Sequence, residues 1–220
     1  MERPIYPSSN MRLTQGYNEG THMDSFAIDD AGIDSGISTL KAPFTGTIKK
    51  IYSADANEVW LESIEEVEYP DGTIDYMTIM FAHSNNVDDL FVGKKISQGE
   101  PFYSEGTKGQ ATGNHCHIEC GKGKFTGTGW HKNNAGYYSI NNGKKPEECL
   151  WIDNTINVID NHGYVFRTIQ QDQPTTAAPT EPPITPLPTV PKLIYTCQKD
   201  DLYGIYLKKG DKLYLEKKEV

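Results

Sequence analysis

Seven of the thirteen prolines fall in residues 173–191, QPTTAAPTEPPITPLPTVP. Proline fixes φ and has no N–H to give to a ladder, so this stretch reads as an extended, semi-rigid spacer. It divides the 220 residues into a domain at 1–170, a Pro/Thr-rich linker at 171–191 and a small module at 192–220. Only the first is long enough to bury a core of its own. The last, with apolar runs at 202–207 and 213–215 around a Lys-Gly-Asp-Lys turn, reads as a β-hairpin. A lone hairpin is marginal in water, so it calls for a partner surface, a ligand or self-association.

Within residues 1–170 no window carries helical apolar periodicity beyond about two turns, whereas alternating stretches recur. Twenty glycines and thirteen tyrosines add turns and strand formers. The expected class is mainly β, an antiparallel sheet. Strands are expected at 47–52, 58–64, 77–83 and 115–120, with 58–64 and 77–83 paired through a turn at 70–73. Pro146 sits where it would open a short helix over 145–150. The region 125–170 is expected to wall a substrate groove, with Trp130, Tyr137 and Tyr138 as contributors.

The formal net charge of −9 argues against a nucleic-acid or anionic-surface binder. No apolar run is long enough to span a bilayer, and the N-terminus begins no signal segment, so synthesis in a host cytoplasm without membrane insertion is expected. Cys116, Cys120, Cys149 and Cys197 lack the close doublets of a zinc ribbon and read as reduced, buried thiols.

Chemistry gathers in residues 112–119, TGNHCHIE. Positions i and i+2 of a strand share a face, so His115 and His117 look into one cavity while Cys116, Ile118 and Cys120 face the packed side. Residues 20–29, GTHMDSFAID, add His22 with Asp24 and Asp29, and His83 closes an apolar strand. A catalytic zinc takes about three His, Asp or Glu ligands and one open position. The cluster around Asp24, Asp29, Asp30 and Asp34 lacks the order of an EF-hand loop, and the glycines of 106–113 lack a phosphate loop's Gly-Lys-Ser/Thr ending. His131 and His162 have no partner motif and read as structural.

Taken in order, the motifs resemble those of the lysostaphin-type peptidoglycan endopeptidases. Residues 42–48, APFTGTI, resemble that family's "apvdGtV" turn. Residues 92–100, VGKKISQGE, resemble its "VkvGdkVkkGq", and residues 112–119 its "tGpHLHfE". The resemblance spans about residues 10–120. It implies that His22, Asp29 and His117 hold Zn2+, and that His83 and His115 orient water and steady the tetrahedral intermediate. There are two departures. Six residues rather than three separate His22 from Asp29, and Cys116 stands where leucine is usual.

The resemblance further implies a peptidase acting on bacterial peptidoglycan. A chain with no leader, a Pro/Thr linker and a small terminal module looks like a phage endolysin, released to the wall by a separate membrane-perforating protein. Its terminal module would bind wall or self-associate, with Tyr195, Tyr203, Tyr206 and Tyr214 suited to sugars or to hairpin core. Two rivals stand beside this expectation: a catalytically degenerate wall-binding protein with the same fold, and an amidase cutting the sugar–peptide link.

Overall fold

Alternation in the central strands separates two faces, and the sheet they build was examined in a computed structural model. It describes residues 1–33, 35–126 and 130–169, all within the unit Met1–Gln173. The expected linker and terminal module, and Cys197, lie outside the described residues. The class is mainly β, as expected. Among the described residues the one α-helix is the single turn Pro146–Cys149, with its proline in the first turn.

The main sheet runs from edge to edge as Asn157–Asp160, Asn10–Gln15, Ile28–Asp30, Cys116–Lys122, Met77–Ala82, Glu58–Ser63, Gly46–Tyr52 and Lys95–Ile96. Gly143–Lys144 adds to one end of Cys116–Lys122. Pairing is antiparallel throughout, except where Asn157–Asp160 lies parallel to Asn10–Gln15.

Side-chain alternation decides what each face holds. Val59, Leu61, Met77, Ile79, Phe81, Cys116, Ile118 and Cys120 point into the main core. Trp60, Met80 and Ala82 point the other way, into a smaller cluster with Ala56, Ile140, Phe125 and Trp130. Leu61, Phe81 and Ile118 are all fully buried. Each contributes about 1.5–3 kcal/mol through that burial. A one-residue slip would turn all of them outward and drive His117 and Glu119 into the core, so packing pins the register that builds the site.

The expected pairing of 58–64 with 77–83 is present as Glu58–Ser63 against Met77–Ala82, with Val59 opposite Phe81 and Leu61 opposite Ile79. The turn at 70–73 caps a separate two-stranded ribbon, Val67–Glu68 with Ile74–Asp75, rather than joining the sheet strands directly. The strand expected at 115–120 begins at Cys116 and runs on to Lys122. His115 instead makes an isolated bridge to Gly106. Cys116, Cys120 and Cys149 are free and buried.

Candidate metal centre

Register brings the chemistry together. His117 pairs with Asp29 on one side and with Ala82, the residue before His83, on the other. His22 arrives from the 3-10 turn Gly20–His22, and its side chain is buried. One ligand atom each of His22, Asp29 and His117 lie within 4.8 Å of one another. His83 and His115 line the same groove of about 410 Å3. Asp24, the alternative acid, is exposed in a left-handed turn (φ +59°) and takes no part.

Each imidazole has one nitrogen tied down. His22 Nδ1 lies 3.0 Å from the Gly16 carbonyl, His83 Nδ1 2.8 Å from Lys108 O, and His115 Nδ1 2.8 Å from Gly113 O. A carbonyl only accepts, so Nδ1 carries a proton in all three and Nε2 is the nitrogen left to face the groove. His117 is turned round: Nε2 meets Glu119 Oε1 at 3.0 Å, and Nδ1 meets Asp29 Oδ1 at 3.0 Å.

These ring orientations aim Nε2 of His22 and of His115 at Asp29. His22 Nε2 is buried without a hydrogen bond and lies 3.3 Å from Asp29 Oδ1. His115 Nε2 lies 3.7 Å from Asp29 Oδ2. Lone pairs facing a carboxylate repel unless a cation or proton lies between them. Two imidazoles and one carboxylate are a fitting donor set for zinc, with room for a fourth position. Ligand atoms on a tetrahedral ion with bonds of about 2.1 Å sit roughly 3.4 Å apart, close to the spacing from Asp29 to each imidazole.

Electrostatics follow the same geometry. Burial pulls the His117 imidazole down, but the carboxylates of Asp29 and Glu119 on its two nitrogens push it up to about 10. Burial raises Asp29, yet the hydrogen bond with His117 and the nearby His22 ring hold it well below the ordinary carboxylate range. His83 is lowered to about 4, first by burial, with its bond to Lys108 opposing and the charges of His117 and His115 reinforcing. His83 is therefore neutral near pH 7.

The backbone around His83 is strained and firmly braced. Its φ of +83° is costly for a residue with a side chain. Its N–H donates to Ala56 O, and its carbonyl accepts from Lys108 N–H. The next residue is clamped as well: Ser84 N–H donates to Tyr103 Oη, which donates to Asn57 O, while Asn57 Nδ2 donates to Ser84 O. Gly106 fits because a Cβ there would stand 2.3 Å from His83 O.

Some supporting residues carried no assignable signal in sequence. Glu119, 2% exposed, holds His117 with one oxygen and accepts from Ile140 N–H with the other. Its place two residues after His117, on the same strand face, was the available clue. Gly16, whose carbonyl orients His22, is backed by Tyr164 and His162, contributed from far along the chain. Of the expected groove wall, Tyr137 and Tyr138 do line the groove, with Asn133, Gly136 and Ser139 of the same 130–140 hairpin. Trp130 does not line it. It packs behind the wall against Trp60, Tyr52 and Tyr138.

No protein-family model matches the sequence. Morphogenesis protein 1 of Bacillus phage B103 is 33% identical over 176 residues, covering 74% of this chain and 43% of that protein. The chain thus spans less than half of that relative's length. Among solved structures, it is similar to a zinc-containing peptidase from Vibrio cholerae, at 18% identity and a TM-score of 0.42, over 55% of this chain and 37% of the other. It is also similar to the catalytic domain of the antimicrobial peptidase lysostaphin from Staphylococcus simulans, at 17% identity and a TM-score of 0.41, over 62% and 89%. Likenesses of this size leave activity to be argued from the site itself.

Proposed function

We propose that the chain is a zinc-dependent endopeptidase that hydrolyses a peptide bond in bacterial peptidoglycan, with His22, Asp29 and His117 as metal ligands. The observation that carries the reading is the convergence of His22 Nε2, His117 Nδ1 and His115 Nε2 on Asp29, with His83 and His115 facing the same groove. Peptidoglycan as substrate is supported by the order of motifs over residues 10–120.

When bound, zinc would supply Lewis acidity that polarises a carbonyl and lowers the pKa of water. The protein's own groups then divide the work. Gly16 O and Glu119 fix the ring orientations of His22 and His117. Nε2 of one of the pair His83 and His115 accepts the one proton released by the attacking water. Once protonated, that nitrogen donates to the developing oxyanion and then delivers the proton to the leaving amine.

Incubation with purified peptidoglycan tests this. New amino-acid N-termini within the stem or cross-bridge are expected, and chelator abolishes their release. Intact stem peptides freed from the sugar would point to the amidase. Wall binding without products would point to the degenerate wall-binding protein.

The context we propose is that of a phage wall hydrolase. A freely released lysin is one form. The relative's name, a morphogenesis protein of a Bacillus phage, favours a second, in which the same peptidase serves particle assembly. Fractionating a phage lysate separates them: a lysin stays with free protein, whereas an assembly enzyme sediments with particles.

A further inference from the structure

Glu58 opens the strand Glu58–Ser63 on the face that carries Trp60, and its side chain lines the groove. Among the described residues it forms no ion pair, and its Oε2 is buried without a hydrogen-bond partner. Nearby donors and cations serve it only in part. Burial pushes the Glu58 carboxyl up, and the Trp60 indole and the charges of His117 and Lys50 offset that only in part. The Lys50 ammonium sits 3.5 Å above the ring of Trp130 instead. A partly buried carboxylate left like this is costly, and a fold keeps one most readily where a ligand supplies the missing cation.

Apart from the histidines of the candidate metal centre, the charged side chains that line the groove are acidic. Asp29, Asp55 and Glu58 line it, and no lysine or arginine does. Asp29 belongs to the candidate metal centre and Asp55 is exposed to solvent, so Glu58 is the partly buried carboxylate whose inner oxygen has no partner. The register places it. Val59 pairs with Phe81, so Glu58 lies level with Ala82, the partner of His117. Two strand spacings, roughly 9–10 Å, therefore separate it from His117, the nearest candidate ligand along the sheet. That is the reach of about three residues of extended peptide.

We propose that Glu58 anchors a primary ammonium of the substrate, carried by the peptide within about three residues of the bond that is cut. This rests on the peptidase reading and narrows it: the groove selects peptides with a free amine, terminal or on a side chain, and disfavours those whose amines are capped. Such a charge-assisted contact distinguishes amine from amide by about tenfold or more.

The test uses the full-length, zinc-loaded protein with native peptidoglycan and with the same material after acetylation of its free amines. Calorimetric binding of two peptide pairs runs alongside: tetraglycine with a free or acetylated N-terminus, and a lysine peptide with a free or acetylated side chain. Acetylation should slow cleavage at least tenfold in the wild type, and in Glu58→Gln the ratio should fall close to one. The pair that loses affinity on acetylation identifies which amine is read. Equal cleavage of both materials by the wild type, a comparison that needs no variant, overturns the anchor and leaves the peptidase reading intact. Absent cleavage with amine-dependent binding that Glu58→Gln removes overturns the peptidase and keeps the anchor. Absent cleavage with no amine-dependent binding overturns both.

Discussion

Nδ1 of His117 lies 3.0 Å from Oδ1 of Asp29, its partner across the sheet. With Glu119 on its other nitrogen, the ring is held up at about 10, against an ordinary value near ~6.5. The fold therefore favours the charged ring. That stabilisation is fully present below about pH 6.5 and is lost as pH rises towards 10. Zinc needs the neutral ring, so binding must expel a proton, and affinity should rise about tenfold per pH unit over the same range. Zinc titration near pH 7 in two buffers of different ionisation enthalpy should report about one proton released. Release of none contradicts the assigned geometry.

Glu119→Gln keeps the size of the side chain and an acceptor for Ile140 N–H, but removes the charge that orients His117. Zinc affinity should fall by about 10–100-fold. Competition with a chromogenic chelator measures it. Unchanged affinity would mean that Glu119 serves only the packing of the 130–140 hairpin.

Gly16→Ala tests the brace behind His22. A Cβ there would stand 2.1 Å from Tyr164 Oη and 2.7 Å from His162 Cδ2, so the backbone carbonyl that fixes His22 must shift. Weaker zinc binding is expected, with a stability loss of about 1–3 kcal/mol from overpacking. Chelator competition and thermal unfolding read the two effects separately.

Tyr103→Phe removes the hydroxyl that links Ser84 N–H to Asn57 O and so loosens the strained backbone at His83. The cost should be about 1–3 kcal/mol for the buried groups left unpaired. Turnover should fall while zinc content stays at the wild-type level. A fall in zinc content would place the clamp under the metal centre instead.

Local pattern and long-range assembly separate what the sequence revealed from what it hid. Alternation around His115, His117 and Ile118 revealed a strand with one packed and one chemical face. Motif order drew His22, Asp29 and His83 towards it, and all five line one groove in the fold. The unusual spacing of His22 and Asp29 is absorbed by the turn at Gly20–His22 and the left-handed Asp24. What stayed hidden depends on contacts distant in sequence. Nothing near Gly16 announces Tyr164, and nothing near Glu58 reveals that its carboxylate lacks a partner. The boundary at Cys116 also eluded the pattern, because His115 keeps its groove-facing role through a bridge to Gly106 rather than through the strand.

The central claim is a zinc site that does chemistry, and metal content measured beside wall hydrolysis tests it most directly. About one zinc per chain is predicted for the wild type, with loss of both zinc and hydrolysis in His117→Ala, and loss of hydrolysis alone in His115→Ala. A wild-type protein that holds no zinc and releases no peptide products after metal is added would contradict the account.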